Sequence, residues 1–266
     1  MKALNNNSLL ALDSDHHEVI LIGKGLGFGR KNGERLEDTH DAKIYTLTND
    51  GNNSALQKIN SINPIFIEIA VQIISEAEKK FQDINKDILL PMADHIAMAV
   101  KRGHNGVLLP NPFHHDIMSM FPDEYHIAKK GLNVIYRKIG IHLPVEEAGY
   151  LSLHIHAGLS GENAAASLAD AKLAAILIHK IELALNRNFS KNTLKYNRLM
   201  SHVSYMILRI KKHERISVDM NKYVQTSFPQ AYALAAEICT DIVSELQTDV
   251  FPEEISLLAL HIQRVI

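Results

Sequence analysis

The chain has 266 residues, of which 46% are hydrophobic and 22% charged, and its formal net charge is −2. These values are typical of a folded globular protein and exclude disordered, collagen-like and coiled-coil classes. One cysteine, Cys239, excludes a disulfide framework and a multi-cysteine metal site. No apolar run reaches the roughly 18 residues of a membrane-spanning helix, so we expect a cytoplasmic protein without membrane insertion. The unusual feature is 15 histidines.

The first fifty residues predict a small antiparallel β-sheet. Apolar runs at 8–12, 18–23 and 43–48 are separated by turn residues, among them Asn32-Gly33. The residues from Asn49 to Asn53 are typical of the start of a linker.

From about residue 60 the hydrophobic period changes to that of a helix. Ile67, Ala70, Val71 and Ile74 follow the spacing i, i+3, i+4, i+7, which places them on one helix face. Similar spacing continues to the end of the chain. The fold class is therefore α+β and multidomain, with a small sheet followed by all-α helical bundles.

An internal repeat divides the helical part in two. His95 and His154 are 59 positions apart, as are His202 and His261, and the two pairs are related by a shift of 107. The same shift, without a gap, maps Arg102 onto Arg209, Phe121-Pro122 onto Phe228-Pro229, Glu146-Glu147 onto Glu253-Glu254, and Leu153-His154-Ile155 onto Leu260-His261-Ile262. The repeat therefore predicts two copies of one helical domain. We expect domains at 1–55, 60–165 and 170–266.

The four repeated histidines lie off the apolar faces of their predicted helices. Arg102 shares a face with His95, and Glu147 shares a face with His154. A neutral imidazole is a nucleophile near neutral pH, and a phosphoryl group on it would be bound by arginine and repelled by carboxylates. One histidine is more often a packing residue, but four in matched pairs favour a phosphorylation switch.

A metal site is the competing interpretation. His114, His115 and Asp116 form a cluster of potential metal ligands, as do His154 and His156. Residues one or two positions apart on a helix do not face together, however. The shift of 107 also maps the first cluster onto Asn221, Lys222 and Tyr223. A metal-dependent all-α phosphohydrolase remains the alternative, and we expect no bound metal and no cofactor.

A glycine-rich stretch from Gly23 to Lys31 lies between the second and third predicted strands. It matches neither a dinucleotide-binding fingerprint nor a P-loop. Glycines allow a close approach to the backbone, Phe28 offers a stacking face and Lys24 a phosphate contact. Because residues 1–50 carry six basic and eight acidic side chains, nucleic-acid binding would need a local surface. Residue chemistry alone rates such binding and a plain hairpin loop about equally.

Two sets of motifs together resemble a known family. Asn5 to Asn7 and the stretch from Ile22 to Lys31 resemble the co-antiterminator RNA-binding domain of BglG/SacY-type transcription antiterminators. The residues around the repeated histidines resemble the motifs of their two PTS-regulation domains: Asp94 to Ala97, Glu147 to Ile155, and Leu258 to Ile262. The resemblance covers essentially the whole chain. Within the family, the sequence is most similar to the glucose-permease branch.

The resemblance implies a sugar-responsive transcription antiterminator that binds a leader mRNA hairpin and prevents formation of a terminator. It implies a homodimer that is not an enzyme and whose partners are HPr and a sugar-specific PTS enzyme II. The implied RNA-binding residues are Asn5, Asn7, Gly23, Lys24 and Phe28, and the implied phosphorylation sites are His95, His154, His202 and His261. Ser201 precedes His202 where the first copy has Asp94, so we expect the two copies to be unequal phosphoryl acceptors.

Overall fold

A computed structural model of the chain describes residues 1–36, 42–46, 61–191 and 193–266. The last two residues of the third predicted strand and the linker predicted at 49–53 lie outside these ranges. The described chain forms two compact units. The first contains Met1–Asn111 and Asp123–Ala164, and the second contains Pro112–Pro122 and Ala165–Ile266. The segment 112–122 therefore packs in a different unit from its neighbours in sequence.

The described residues of the N-terminal part form an antiparallel sheet of four strands in chain order: β1 (Lys2–Asn5), β2 (Ser8–Leu12), β3 (Glu18–Ile22) and β4 (Lys43–Thr46). Leu9 pairs with Leu21 in the β2–β3 register, and both are buried with Val19 on one face. Leu10 pairs with Ile20 on the opposite face, and this pair is also buried. The sheet thus confirms the predicted fold class. Strand β1 was not predicted, because it is short and has no β-branched residue.

Within the described ranges the helical part contains α1 (Pro64–Glu78), α2 (Leu89–His104), α3 (His114–Met120), α4 (Pro122–Ile139), α5 (Glu146–Ser160), α6 (Ala164–Ala184), α7 (Leu194–Lys211), α8 (Asn221–Ser227), α9 (Pro229–Leu246) and α10 (Pro252–Gln263). A 3-10 helix at Lys86–Ile88 precedes α2. The side chain of Asn63 caps α1, accepting a hydrogen bond from the Ile65 amide, and Thr193 caps α7 in the same way through the Tyr196 amide.

The apolar stripes predicted from the sequence form the helical cores. In the first unit Ile67, Ala70 and Ile74 of α1 are fully buried. In the second unit Met200 and Val203 of α7 are buried in the same way. Burial of such faces is the main stabilising contribution to each bundle. None of the described helices is long and apolar enough to cross a lipid bilayer.

The core of the second unit also holds two polar features. Cys239 of α9 is buried among the apolar side chains. Asp116 of α3 is buried as well, and its carboxylate accepts hydrogen bonds from the Tyr196 hydroxyl and from Lys191 Nζ, the latter at 2.7 Å. These bonds satisfy the buried charge of Asp116 and hold α3 against α7.

Candidate RNA-binding surface and histidine pairs

The glycine-rich loop folds back on the turn between β1 and β2. The backbone amides of Gly23 and Gly25 donate hydrogen bonds to the backbone oxygen and to the side-chain Oδ1 of Asn7, both at 2.9 Å. Asn5 Oδ1 accepts a hydrogen bond from the Asn7 amide at 2.8 Å. The asparagines and the glycines therefore build one surface, although they are about 20 positions apart in the sequence.

The backbone geometry of this loop explains two of its glycines. Gly25 has φ of +72°, in the left-handed region that favours glycine. At Gly27 a Cβ atom would lie 2.0 Å from the backbone oxygen of Asn5, so no larger residue fits. Lys24 is exposed, and Phe28, four residues further along the loop, is 74% exposed. The structure thus brings Asn5, Asn7, Gly23, Lys24 and Phe28 into one loop region.

A carboxylate from α1 lies at this surface. Glu68 Oε1 accepts a hydrogen bond from Asn5 Nδ2 at 2.9 Å, and Asn7 Nδ2 lies 3.5 Å from the same oxygen. The sequence did not predict this contact, because no spacing or motif links Glu68 to residues more than 60 positions away. The side-chain amides expected to face a ligand are therefore occupied by a residue of the first helical bundle.

The first histidine pair lies between α2 and α5. Glu147 is buried, and its two oxygens accept hydrogen bonds from His95 Nε2 at 3.0 Å and from Arg102 Nη2 at 2.7 Å. The His95 and His154 rings are tilted by 48°, with centroids 5.2 Å apart. The structure brings together the histidines, the arginine and the glutamate singled out from the sequence. Glu147, however, hydrogen-bonds to His95 and not to His154, the histidine on its own helix.

The electrostatics of the first pair follow from burial and these contacts. Burial raises the pKa of Glu147, but the hydrogen bonds from His95 and Arg102 outweigh it and leave the pKa below its ordinary value. Burial, with a smaller effect of His95, lowers the pKa of His154 to about 3. His154 is therefore neutral at physiological pH, and one of its ring nitrogens keeps a free lone pair.

The second histidine pair lies between α7 and α10 and has different contacts. Arg209 donates from Nε and Nη2 to both oxygens of Glu254, each bond being 2.7 Å long. The His202 and His261 rings are stacked, with centroids 3.2 Å apart and an interplanar angle of 18°. In the part of the chain that the structure describes, no carboxylate hydrogen-bonds to His202.

Both histidines of the second pair have lowered pKa values. Burial is the main cause for His202, followed by the positive charges of Arg264, Arg209 and Arg198. Burial is also the main cause for His261 and lowers its pKa to about 4, with smaller effects from His202, Arg264 and Arg209. Both copies therefore keep their second histidine neutral, although the charges that surround the two pairs differ.

The structure does not favour the metal-site hypothesis. Asp116 is buried and occupied by Tyr196 and Lys191, and the His114 and His115 rings meet edge-on with centroids 5.4 Å apart. Across the described ranges, one group of three or more residues has ligand atoms within 4.8 Å of one another. It consists of Asp13, Asp15 and His17, all exposed. The Asp13 carboxylate in this group already accepts the amides of Asp15 and His17.

Comparison with known proteins places these features in context. The CAT RNA-binding domain family matches residues 1–54, and the PRD domain family matches residues 71–158 and 176–265. The chain is 30% identical to the GlcA/glcB genes antiterminator of Staphylococcus carnosus, covering 98% of this chain and 93% of that protein. It is 29% identical to Protein GlcT of Staphylococcus aureus, covering 98% and 94%.

A solved structure is similar as well. The crystal structure of GlcT CAT-PRDI matches with a TM-score of 0.51 and 35% sequence identity, covering 59% of this chain and 95% of that one.

Proposed function

Because this chain belongs to the family of transcription antiterminators that join a CAT RNA-binding domain to two PRD domains, we propose that it binds a leader mRNA hairpin. Binding prevents an overlapping terminator from forming, so that transcription continues. PTS-dependent phosphorylation of its histidines makes this activity respond to a sugar.

We assign the parts of the chain as follows. Residues 1–55 bind RNA as a homodimer, and residues 60–165 and 170–266 are the two regulation domains. The phosphoryl donors are HPr and a sugar-specific PTS enzyme II, which places the protein in the cytoplasm. The chain accepts phosphoryl groups and is not itself an enzyme.

The glycine-rich loop carries the RNA-binding proposal. Phe28 stacks on an unpaired base, Lys24 contacts a phosphate, and the amides of Asn5 and Asn7 read base edges. The observation that supports it most is the 74% exposure of the Phe28 ring on a loop whose backbone is fixed by hydrogen bonds. An aromatic ring exposed on an ordered loop is a stacking platform for single-stranded bases.

The Glu147 bridge supports the phosphorylation switch. His95 Nε2 donates to Glu147, which is buried and also holds Arg102. A phosphoryl group on that nitrogen removes the hydrogen bond and places about two negative charges beside the carboxylate. Repulsion between these anions loosens the contact between α2 and α5, and this is how the sugar signal changes the first regulation domain.

The RNA-binding proposal is tested by fluorescence anisotropy with a labelled leader hairpin. Loss of one stacked base costs about 1–3 kcal/mol, so Phe28→Ala lowers the affinity by roughly 5- to 150-fold. Asn7→Ala weakens binding too. Leu12→Ala, an exposed position of the same sheet outside the loop, leaves it unchanged. Equal affinities of Phe28→Ala and the unaltered protein would contradict the assignment.

The switch is tested by incubating the protein with enzyme I, HPr, enzyme II and phosphoenolpyruvate, with and without sugar. Mass mapping is expected to find phosphate on His95, His154, His202 or His261, and the RNA affinity is expected to differ between the states. If no histidine in this set takes up phosphate, the switch proposal is wrong, even if RNA binding is intact.

A further inference from the structure

The second histidine pair borders an open cleft whose lining includes three cations. The cleft has a volume of about 420 Å³, and its lining residues are Lys195, Arg198, Leu199, His261, Arg264 and Val265. Lys195 and Arg198 extend from the start of α7, and Arg264 follows the end of α10. Three positive side chains therefore converge beside a histidine that the sequence repeat had already singled out.

These cations are not used elsewhere in the fold. Within the described ranges, the side chains of Lys195, Arg198 and Arg264 are exposed and form neither an ion pair nor a hydrogen bond. Other cations of the same helix are paired, since Arg209 binds Glu254 and Lys211 binds Asp170. Unpaired cations around one cleft repel each other, and a bound anion would relieve that repulsion.

The first copy has no cations at the positions equivalent to these three. The shift of 107 maps Lys195, Arg198 and Arg264 onto Ile88, Pro91 and Ala157. The surface there is covered by the 3-10 helix. A Cβ atom on Gly158 would lie within 3.0 Å of the Ile84 and Ile88 side chains, and the Asn85 amide donates to the Gly158 oxygen at 2.7 Å. The cations are thus a property of the second copy and not a result of the duplicated fold.

We propose that Lys195, Arg198 and Arg264 form a phosphate site that holds a phosphoryl group carried by His202 or His261. This inference rests on the proposed histidine phosphorylation and adds where the group is bound. Guanidinium groups bind phosphate oxygens through paired N–H donors, and an ammonium adds a compact positive charge. Because Glu254 is already neutralised by Arg209, no free carboxylate of the pair opposes the incoming dianion.

The site makes the second pair a better phosphoryl acceptor than the first. His261, like His154 of the first pair, has a lowered pKa and is neutral at neutral pH, so a ring nitrogen offers a free lone pair. The cations are what distinguish the second pair. With phosphoramidate as donor, that lone pair attacks phosphorus, the P–N bond of the donor breaks, and ammonia leaves. The proton of the other ring nitrogen ends on the ammonia as ammonium. The cations then bind the transferred phosphoryl oxygens.

The test uses the full chain, phosphoramidate, and mass mapping of phosphohistidine at each site. The double variant Arg198→Gln/Arg264→Gln is expected to reduce phosphate on His202 and His261 roughly tenfold, because two charge-assisted hydrogen bonds are lost. Phosphate on His95 and His154 is expected to stay unchanged. Lys222→Gln, an exposed lysine of the same unit, serves as the control and leaves all sites unchanged. Urea unfolding verifies that the variants are folded.

A second arm distinguishes the source of the phosphate. Inorganic phosphate is titrated while the ring resonances of His202 and His261 are followed by NMR. If the double variant keeps its phosphohistidine but loses these shifts, the cleft serves a free phosphate compound, and the covalent assignment is overturned. If neither readout changes, there is no phosphate site. If the unaltered chain takes phosphate on no histidine, the proposed function itself fails, and the titration still decides whether the cations bind phosphate.

Discussion

The two histidine pairs differ in how each uses its glutamate. In the first copy Glu147 accepts one hydrogen bond from His95 and one from Arg102. In the second copy Arg209 occupies both oxygens of Glu254, and the two histidine rings stack on each other. The same duplicated residues therefore give two electrostatic environments. Under the proposed function, a phosphoryl group would meet a carboxylate that already binds the histidine in the first pair, and free cations in the second.

The largest expected effect that separates the two pairs is on stability. Arg209→Leu leaves the buried Glu254 without its partner, and breaking a buried ion pair in this way costs about 3–5 kcal/mol. Arg102→Leu costs less, because His95 still hydrogen-bonds to Glu147. Urea unfolding combined with segment-resolved hydrogen exchange measures both losses.

A control for that comparison is Lys180→Leu. Lys180 pairs with Asp241 in the same unit, but the two side chains are 43% and 41% exposed, so the loss of stability is expected to be far smaller than for Arg209→Leu. Equal destabilisation by Arg102→Leu and Arg209→Leu would show that the two glutamates are not used differently.

A smaller effect is expected on the pH dependence of stability. It arises from the neutral second histidine that the two pairs share. The folded-state pKa values of His154 and His261, about 3 and about 4, lie below the ordinary value of 6.5. The unfolded chain therefore binds protons that the folded chain does not. The free energy of unfolding is expected to fall as pH drops from about 6.5 towards 4, by about 1–2 kcal/mol per histidine at pH 5.

Unfolding at pH 7 and pH 5 tests this expectation. His154→Asn and His261→Asn each remove a proton-binding site from the unfolded chain, so each variant is expected to lose part of the pH dependence. An unchanged dependence in His154→Asn would mean that this ring is protonated alike in both states.

The smallest expected effect depends on a contact that only the first copy can make. Glu68 occupies the amides of Asn5 and Asn7, whereas the shift of 107 places Ala175 at the corresponding position. Glu68→Ala frees these amides for RNA and is expected to tighten hairpin binding by about fivefold, the equivalent of one hydrogen bond of about 1 kcal/mol.

The matched control is Glu76→Ala on the same helix, since Glu76 pairs with Lys79 and does not contact the loop. It is expected to leave hairpin affinity unchanged. Weaker binding by Glu68→Ala would show that the carboxylate positions the asparagines for RNA and does not compete with it.

Periodicity and repetition predicted much of the molecule. The stripe containing Ile67 and Ile74 is a buried helix face, and Arg102, placed on the face of His95 by the spacing, binds the same carboxylate as that histidine. These features could be predicted because they depend on spacing within a helix or on a duplicated pattern. Strand β1 could not, since Lys2–Asn5 pairs through its backbone with β2 and has no strand-forming side chains.

The spacing of residues in the sequence could not predict which side chains pair. Glu147 and Glu254 occupy equivalent positions, yet one shares its oxygens between a histidine and an arginine and the other gives both to an arginine. That choice depends on rotamers and on the surrounding packing, which sequence periodicity does not contain. The contact of Glu68 with the N-terminal loop is tertiary in the same sense.

The one cysteine provides a means of following the second bundle by itself. Burial, helped by the negative charge of Glu254, raises the pKa of the Cys239 thiol to about 12, so the folded protein offers almost no thiolate to a reagent. Because the chain has no other thiol, any labelling by a thiol reagent reports opening of that core. The labelling rate therefore measures opening of the second helical bundle, and it can be followed in the presence of RNA or of a phosphoryl donor.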